Sequence, residues 1–379
     1  MEEIHLFIIW SKAGFKKSEI LQDISKNFEI VDIYNIAWSD HKFSENLTRF
    51  YGENLPKNSH KEKHCGKGAF ACIIVKDNCP VYEQRLTSKG KKFVNKNIFD
   101  SKQLYREWTG GGHKVHATDN IEESKTQLLL LLNLQYDKLI KKTNKHKIRE
   151  QYISRDLIGS DGWDSFKDVF KILNLLTRYV ILRNFENLES ELTALHPDVD
   201  LLVENKKYVI DLLNAKPTSR KKYRVQYNVI INDKKINFDL RYIGDDYYCQ
   251  KWEGEILKYR VKESYFYRPD DINYFYSLLY HALLHKHFLT EDYIEKLINL
   301  SKSNIFEPNF KEDNSLCCLN QFIHDNNYNY SEPEDLSVFW NSLLLSKEVK
   351  NKCSDRRRRH QIYIDIRQKF TTLVKRIIK

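Results

Sequence analysis

Glycine and proline are scarce in this sequence, which has 12 Gly and 7 Pro in 379 residues. It also has no long low-complexity tract and no internal repeat, so fibrous and repeat architectures are excluded. With 41% hydrophobic and 13% aromatic residues, the composition is that of a globular protein. The length is sufficient for two domains, each with a sizeable hydrophobic core.

Cysteine pairs and long apolar runs are also missing. The seven Cys are an odd number and form no C-x-x-C pair, which argues against disulfides and zinc sites and favours a reducing compartment. The N-terminal apolar run, residues 6–10, does not have the form of a signal peptide. No run approaches the 18 apolar residues that a membrane span needs. We therefore expect a cytoplasmic protein.

The charge balance is moderate, with 62 basic and 52 acidic residues and a formal net charge of +10. It permits binding to nucleotides, nucleic acid or an anionic membrane without selecting among them. In the C-terminal tail, residues 356–359 are four arginines, and an apolar helical stripe flanked by Lys and Arg follows to residue 377. This pattern predicts a basic amphipathic helix that contacts a membrane surface or a partner, or packs on its own protein. Nucleic acid is a less favoured partner.

The N-terminal region alternates between strand and helix patterns. Its predicted strands are residues 4–10, 29–37 and 69–75, and its predicted helices are residues 15–27 and 40–51. The β-α-β-α order at the start predicts an α/β domain with a partly parallel sheet. We place this domain at residues 1–136 and its boundary in the polar, basic segment 136–151.

Three consecutive glycines, Gly110, Gly111 and Gly112, stand in this otherwise glycine-poor chain. Because glycine loses more conformational freedom on folding than other residues, the run predicts a backbone conformation that needs glycine. With His113, the run resembles the G-G-x-H-R loop of ParB and sulfiredoxin-like proteins, with Lys114 in place of the arginine. The resemblance implies that Gly110, Gly111, Gly112 and His113 bind a nucleotide phosphate. The alternative is a tight turn without a ligand.

Two carboxylates, Asp198 and Asp200, lie at the start of the apolar run 199–203, which is typical of a buried strand. Residues two apart on a strand project from the same face. Asp239 lies within a second predicted strand, residues 236–242. Three carboxylates from adjacent strands would form a site of hard oxygen ligands that suits Mg²⁺ and a bound triphosphate. The alternative is that these acidic residues are simply solvated at strand ends.

This pattern resembles the nucleotidyltransferase superfamily that includes DNA polymerase β, whose members carry a D-x-D pair on one strand and a third Asp on a neighbouring strand. The resemblance covers about residues 167–300. It implies an α+β nucleotidyltransferase-like domain, which we place at residues 152–301, with a helical C-terminal part. The sequence departs from the family after the first predicted strand, 179–183, where Asn184 and Phe185 follow instead of Gly-Ser.

The resemblance also implies the ligands Mg²⁺ and a nucleoside triphosphate. Asp198, Asp200 and Asp239 would be both the catalytic and the metal-binding residues. The residues that we predict to bind the nucleotide are Arg183, Asn184, Lys216 and Arg241. Arginine and lysine suit phosphate binding, but each of these basic residues has the alternative of a solvated surface charge.

The rest of the chain is predicted to be helical at residues 252–301 and loop-like in the polar, Asn-rich segment 302–335. His281 and His285 are four residues apart and so share a helix face. We expect them to belong to the core or to a polar groove rather than to a zinc site. The last predicted region, residues 302–379, comprises this loop and the basic tail.

The function that we predict is nucleotidyl transfer to a sugar phosphate, a polyol phosphate or another small acceptor such as a glycan precursor. The chain also resembles uncharacterised bacterial proteins from surface-polysaccharide gene clusters, which implies a role in surface polysaccharide biosynthesis near a membrane. One alternative is a kinase-like phosphotransferase, because Asp200 and Asn205 have the D-x-x-x-x-N spacing of a kinase catalytic loop. Another is a non-catalytic protein that binds RNA or a partner and keeps a degenerate nucleotidyltransferase core.

Overall fold

A computed structural model describes residues 2–87, 90–141, 150–192, 197–286, 290–302, 314–341, 344–345, 357, 359–360 and 362. The chain divides into two compact units, which we call the first unit (residues 1–162 with 210–214) and the second unit (163–209 with 215–379). The division after residue 162 lies beyond the predicted boundary segment.

The first unit contains seven described strands and six described α-helices. The strands are β1 (Glu3–Ile9), β2 (Glu29–Ala37), β3 (Phe70–Asp77), β4 (Tyr82–Thr87), β5 (Gly90–Asn95), β6 (Val115–Ala117) and β7 (Glu150–Ser154). The helices are α1 (Lys17–Asn27), α2 (Phe43–Tyr51), α3 (His60–Cys65), α4 (Lys96–Trp108), α5 (Ile121–Leu132) and α6 (Tyr136–Ile140). A 3-10 helix, Ser11–Lys16, precedes α1.

The main sheet of the first unit has the strand order β6-β1-β3-β2-β7. β3 pairs antiparallel with both β1 and β2, and β6 pairs antiparallel with β1. Together with α1 and α4, these strands give the β-α-β-β-α-β connectivity of the ferredoxin-like fold. The predicted α/β class is therefore confirmed. The predicted parallel pairing is found at β2–β7 and not between β1 and β2, because β3 lies between them.

β1 and β3 hold central positions because of their sequences. Every residue of both strands is buried, as expected for strands that are covered on both faces and therefore lack alternation. Alternate apolar side chains of these strands join those of α1 and α4 in one core, which includes Phe7, Ile20, Ile73, Ile98 and Tyr105. The remaining side chains of β1 and β3, such as Leu6 and Ile74, are buried on the other face of the sheet.

β7 continues the first unit beyond residue 136, where we had predicted its end. It pairs with β2 in parallel, from Ile33 opposite Glu150 to Ala37 opposite Ser154. Four of its five residues are exposed, so the strand has no apolar pattern that would distinguish it from a linker. Residues 142–149 of the predicted boundary lie outside the described residues.

In its described residues, the second unit contains seven further strands and six α-helices. The strands are β8 (Tyr179–Ile181), β9 (Asp198–Val203), β10 (Lys216–Pro217), β11 (Gln226–Ile231), β12 (Lys234–Tyr242), β13 (Val261–Glu263) and β14 (Phe266–Arg268). The helices are α7 (Phe166–Leu176), α8 (Lys206–Leu213), α9 (Gln250–Lys258), α10 (Asp271–Leu284), α11 (Glu291–Ser301) and α12 (Ser315–Asp325). The last residues of α8, from 210 onward, group with the first unit. A 3-10 helix, Phe185–Leu192, lies between β8 and β9.

The main sheet of the second unit has the order β10-β11-β12-β9-β8. β9 and β12 are parallel, and the other neighbouring pairs are antiparallel. β11 and β12 form a hairpin, with its turn at Asn232 and Asp233. Both residues have positive φ, 49° and 59°, which is the conformation of the two-residue turn that favours Asn and Asp and matches the twist of the strands.

The helices of the second unit pack around a hydrophobic core. The segment that we predicted to be helical also contains two strands. β13 and β14 form a hairpin within the segment predicted to be helical, and all three residues of β13 are exposed, so the apolar signal is weak. The core draws on α9, α10 and α12, with Trp252, Phe275 and Leu319 fully buried. The sheet and the helices of this unit therefore share their apolar contacts.

The segment predicted as a polar loop also needs correction, because α12 lies within it. Leu319, Phe322 and Ile323 have helical spacing and enter the core, but Asn-rich flanks conceal this pattern in the sequence. The predicted basic C-terminal helix lies outside the described residues except at a few positions. One of them, Arg357 of the four arginines, is buried and donates hydrogen bonds to Glu332 Oε1 (2.7 Å) and Val338 O (2.6 Å). This arginine is therefore a structural anchor.

In the described part of the chain, no helix combines the length and the apolar character needed to cross a bilayer.

Candidate active site in the second unit

Three carboxylates lie on one face of the β9–β12 pair. In the parallel register, Asp200 is directly opposite Asp239, and Asp198 is opposite Asn237. Side chains that are paired across parallel strands project to the same side, as do residues two apart on one strand. Asp198, Asp200 and Asp239 therefore share a face, with Asp198 exposed at the start of β9 and Asp200 buried at 6% exposure.

The proximity of these carboxylates changes their proton affinity. Although Asp198 is exposed as a residue, protein atoms crowd its carboxyl group, and this desolvation together with the charges of Asp200 and Asp239 raises the pKa of Asp198 to about 7. Burial, and then the charge of Asp200, also raises the pKa of Asp239. Like charges in close proximity favour the protonated form. A cation between them would remove the repulsion, so the face is suited to a positively charged ligand.

Two buried arginines accompany the carboxylates. Arg183 Nη2 donates a hydrogen bond of 2.7 Å to Asp200 Oδ1, and both side chains are less than a tenth exposed. Arg241 lies two residues after Asp239 on β12, with Nη2 3.6 Å from Asp239 Oδ2 and Nη1 3.8 Å from Asp245 Oδ2. The predicted residues Arg183 and Arg241 are thus brought to the carboxylates, where they act as internal counter-ions.

The turn after β8 has a backbone conformation that usually requires glycine. β8 ends at Ile181, and Leu182 N donates a hydrogen bond of 2.9 Å to Asp200 O. Asn184 then has a φ of +59° immediately before the 3-10 helix. Asparagine is one of the few non-glycine residues that adopt this left-handed region readily. Asn184 therefore makes the strand-to-helix turn without the Gly-Ser that the nucleotidyltransferase resemblance leads one to expect.

Asn237 and Tyr247 also contribute to the site, and neither was predicted. Asn237 Nδ2 donates a hydrogen bond of 2.9 Å to Asp198 Oδ1. The Tyr247 ring lies under Arg241, with the guanidinium carbon 4.2 Å from its centroid. Period-two alternation from Asp239 on β12 was the sequence signal that could have identified Asn237. Tyr247 follows the strand in a loop, for which the sequence offers no comparable signal.

Several buried polar atoms around Tyr247 have no hydrogen-bond partner. Those in the second unit are Asp239 Oδ1, Arg241 Nε and Nη1, Asp245 Oδ2, and both ring nitrogens of His285. An unsatisfied buried polar group costs about 1–3 kcal/mol, and a catalytic role or a bound ion is one of the reasons for which native structures keep such groups. Their clustering around Tyr247 supports a binding role for this part of the unit.

His281 lies on α10 and His285 directly follows its last residue, and both are buried, in agreement with the core or groove position that we expected. The hydroxyl of Tyr247 lies 2.6 Å from His281 Nδ1. Burial, and then the nearby arginines, lower the pKa of both histidines well below the ordinary value. Both rings are therefore neutral at physiological pH.

Lys216 lies on the same face as Asp198 but at a distance. Across the sheet, Lys216 pairs with Asn228, Asn228 with Asn237, and Asn237 with Asp198. Three strand spacings of about 4.8 Å place their backbones roughly 14 Å apart. Lys216 is exposed and would reach the far part of a ligand rather than the carboxylates.

The glycine loop belongs to the first unit. Gly110, Gly111 and Gly112 have φ values of 78°, 80° and 79°, so the predicted backbone need is confirmed. A Cβ atom on Gly112 would lie 2.3 Å from His64 Nδ1, to which His113 N donates a hydrogen bond of 3.2 Å. Burial, and then the charges of nearby basic residues, lower the pKa of His113 to about 4.

The donor atoms of the carboxylate face determine whether a metal ion fits there. In the regions that the structure describes, no group of three His, Cys, Asp or Glu side chains is arranged to hold a metal as it stands. At the carboxylate face the ligand chemistry does fit Mg²⁺, since carboxylate oxygens are its preferred protein ligands. Asp239 Oδ1 is buried and unpaired, but one oxygen of Asp200 is already bonded to Arg183.

Comparison with known proteins gives little further information. No protein-family model and no curated protein sequence matches the chain. Among solved structures, the nucleoside diphosphate kinase of Aquifex aeolicus aligns with 34% of this chain and 93% of its own. Its sequence identity is 15% and the TM-score is 0.24, and a likeness at this level supports no conclusion about function.

Proposed function

We propose that the second unit is a Mg²⁺-dependent nucleotidyltransferase of the DNA polymerase β type. The observation that supports this most strongly is the parallel pairing of Asp200 with Asp239, with Asp198 on the same face. A D-x-D strand beside a strand with a third Asp is the arrangement that the family resemblance implies. The reaction would transfer a nucleoside monophosphate from a nucleoside triphosphate to a hydroxyl group of a small acceptor and release pyrophosphate.

The order of elements around the carboxylates supports the same proposal. Helix α7 precedes β8, a turn and a 3-10 helix lead to β9, and β12 lies beside β9. The left-handed Asn184 provides the turn where the family has Gly-Ser. At this turn the chain therefore departs from the family more in residue type than in backbone conformation.

In the proposed reaction the carboxylates and Arg183 have different roles. Asp198, Asp200 and Asp239 would hold the metal, which when bound neutralises the triphosphate and lowers the pKa of the acceptor hydroxyl. Arg183, beside the Asn184 turn, would offset charge that develops on the phosphates. Asp239 Oδ1, which has no hydrogen-bond donor of its own, would accept the proton of the hydroxyl.

The acceptor that we propose is a sugar phosphate, a polyol phosphate or a similar glycan precursor, consistent with a role in surface polysaccharide synthesis. Lys216 supports a phosphorylated acceptor, because it extends the face of Asp198 with an exposed positive charge. A phosphate bound near Lys216 would leave the hydroxyl end of the acceptor directed toward the carboxylates.

One alternative has an observation in its favour. Arg183 and Arg241 lie against two of the three carboxylates, as they would in a degenerate core that binds RNA or a partner without catalysis. The kinase-like alternative is less well supported, because Asn205 Oδ1 accepts a hydrogen bond from Tyr208 N (3.1 Å) at the start of α8. An asparagine engaged in a helix cap is not free to bind a metal.

Product analysis separates these functions. The full chain is incubated with Mg²⁺, each nucleoside triphosphate and a panel of sugar and polyol phosphates. Pyrophosphate that disappears in Asp200→Asn supports the proposal, and nucleoside diphosphate indicates a kinase. The matched control is Asp233→Asn, in the exposed turn of the same hairpin. No product, together with salt-dependent RNA binding that survives Asp200→Asn, would reject catalysis in favour of the binding protein.

A further inference from the structure

The ion pair between Arg183 and Asp200 has a consequence for how ligands enter the site. Arg183 Nη2 is 2.7 Å from Asp200 Oδ1, and the same guanidinium lies 5.8 Å from the centroid of the Tyr247 ring. Both charged side chains are buried, so water screens the pair only weakly. A guanidinium at this place occupies an acceptor oxygen that a divalent cation needs and repels the cation as well.

The charges around the pair show that the arginines do not neutralise the site completely. Five carboxylates gather here, those of Asp198, Asp200, Asp239, Asp245 and Asp335, whereas three guanidinium groups, of Arg183, Arg241 and Arg224, face them. The remaining negative charge attracts a cation, while Arg183 opposes its final coordination. A free metal ion therefore gains the long-range attraction but not the full set of ligands.

A triphosphate would change this balance. It supplies several negative oxygen atoms that match a guanidinium in geometry and charge, so Arg183 gains a new partner as Asp200 is released. Arg183 is well placed for this exchange, because it lies outside β8, immediately before the left-handed Asn184. The carboxylates and the phosphates would then share the metal.

We propose that Arg183 makes metal binding conditional on the nucleotide, so that the second unit accepts the metal–nucleotide complex and binds the free divalent ion only weakly. This inference rests on the proposed function and adds to it a required order of binding. It concerns the affinity for the ligands and can be tested without turnover.

The test uses Mn²⁺ as a spectroscopic substitute for Mg²⁺ and the full chain. Binding of Mn²⁺ is measured by electron paramagnetic resonance, alone and with α,β-methylene analogues of the four common nucleoside triphosphates. For the wild type we expect affinity for Mn²⁺ to rise at least about tenfold in the presence of an analogue. Arg183→Gln should bind Mn²⁺ alone about tenfold more tightly than the wild type, and should bind the analogue about tenfold more weakly.

Two further variants keep the test decisive. Arg178→Gln removes an exposed arginine that pairs with Glu204 near the start of β8, and it should behave like the wild type. Arg183→Lys retains the positive charge and should keep the dependence on nucleotide even if Arg183→Gln fails to fold.

The possible failures have different meanings. If the wild type binds Mn²⁺ equally tightly with and without nucleotide, or if Arg183→Gln remains dependent on nucleotide, the proposed role of Arg183 is overturned and the nucleotidyltransferase assignment stands. If no variant binds Mn²⁺ under any condition, the assignment itself is rejected, and the inference with it.

Discussion

Each unit contains one polar site, and the charges around the two sites have opposite sign. At each site the surroundings shift the pKa of the central side chain so that its neutral form is favoured. At the glycine loop, burial and then the positive charges of Lys61 and Arg106 lower the pKa of His113 to about 4. At the carboxylate face, crowding by protein atoms and then the negative charges of neighbouring carboxylates raise the pKa of Asp198 to about 7. The first arrangement favours an anionic ligand and the second a cationic one.

The two sites differ in what maintains them. The glycine loop depends on backbone angles that side chains disfavour, since Gly110 to Gly112 all have positive φ. The carboxylate face lies on regular strands that any residue type can adopt, and it depends on charge pairs such as Arg183–Asp200. The first site should therefore be sensitive to an added methyl group, and the second to a lost charge.

The largest effect is expected from removing one charge of the buried pair in the second unit. Asp200→Ala leaves the Arg183 guanidinium buried without its carboxylate, which should lower the free energy of unfolding by about 3–5 kcal/mol. Urea denaturation followed by circular dichroism measures this loss. Asp233→Asn, at an exposed turn, should change it by less than about 0.5 kcal/mol. A loss below about 1 kcal/mol for Asp200→Ala would show that Arg183 readily finds another partner or solvent.

In the first unit a single methyl group should have a somewhat smaller effect. Gly112→Ala combines a disfavoured φ with a Cβ atom 2.3 Å from His64 Nδ1, and should cost about 2–4 kcal/mol. Gly111→Ala has the same backbone strain but meets nothing within 4 Å, so it should cost about 1–2 kcal/mol. The difference between the two unfolding free energies isolates the clash. Equal costs would mean that the His64 side chain simply moves away.

The opposite pKa shifts predict opposite dependences of stability on pH. Folded Asp198 keeps its proton up to about pH 7, whereas an ordinary Asp loses it near pH 4. Folding therefore takes up protons in this window, and the contribution of Asp198 to stability falls as pH rises. His113 loses its proton at about pH 4 when folded and near pH 6.5 when unfolded, so its contribution falls as pH drops.

Paired variants make these two dependences visible. Relative to the wild type, Asp198→Asn should gain stability as pH rises from 4 to 7, and His113→Gln should gain stability as pH falls over the same range. Urea midpoints at four pH values suffice for the comparison. A change of the same sign for both variants would contradict the view that the two sites have opposite electrostatic character.

The smallest expected effect concerns Cys65, which lies near the glycine loop. Burial raises the pKa of this thiol to about 12 in spite of the nearby positive charge of Lys61. Iodoacetamide at pH 8 should therefore modify the exposed Cys79 and Cys317 and leave Cys65 unmodified until the chain is denatured. Rapid labelling of Cys65 in the folded protein, measured by mass spectrometry, would show that positive surroundings outweigh burial there.

Much of the first unit was predictable because its strands carry strong apolar patterns. The predicted strand at residues 29–37 coincides with β2, and the predicted strand at 69–75 overlaps β3. The insertion of β3 between β1 and β2 was not predictable, since it depends on long-range pairing rather than on local pattern. The polar β7 gives no periodic signal and was therefore assigned to a linker.

The candidate site was likewise predictable only as far as local strand patterns determine it. Alternation along a strand is enough to put Asp198 and Asp200 on one face, and the family resemblance implied that Asp239 lies on a neighbouring strand. The ion pair of Arg183 with Asp200 and the position of Tyr247 under Arg241 depend on how the helical part packs on the sheet. Likewise, the left-handed φ of Asn184 could not be inferred from a residue that adopts other conformations as readily.

β12 is hydrogen-bonded to β9 in a fixed register. The length of β12 is therefore as important as its composition. Phe238 and Leu240, the neighbours of Asp239, are fully buried and project to the other side of the sheet. Inserting or deleting one residue between the hairpin turn and Asp239 would exchange the two sides and drive the acid into hydrocarbon. Natural length variation is therefore expected in the loops that flank β12, and excluded within the strand as strictly as the loss of the aspartate itself.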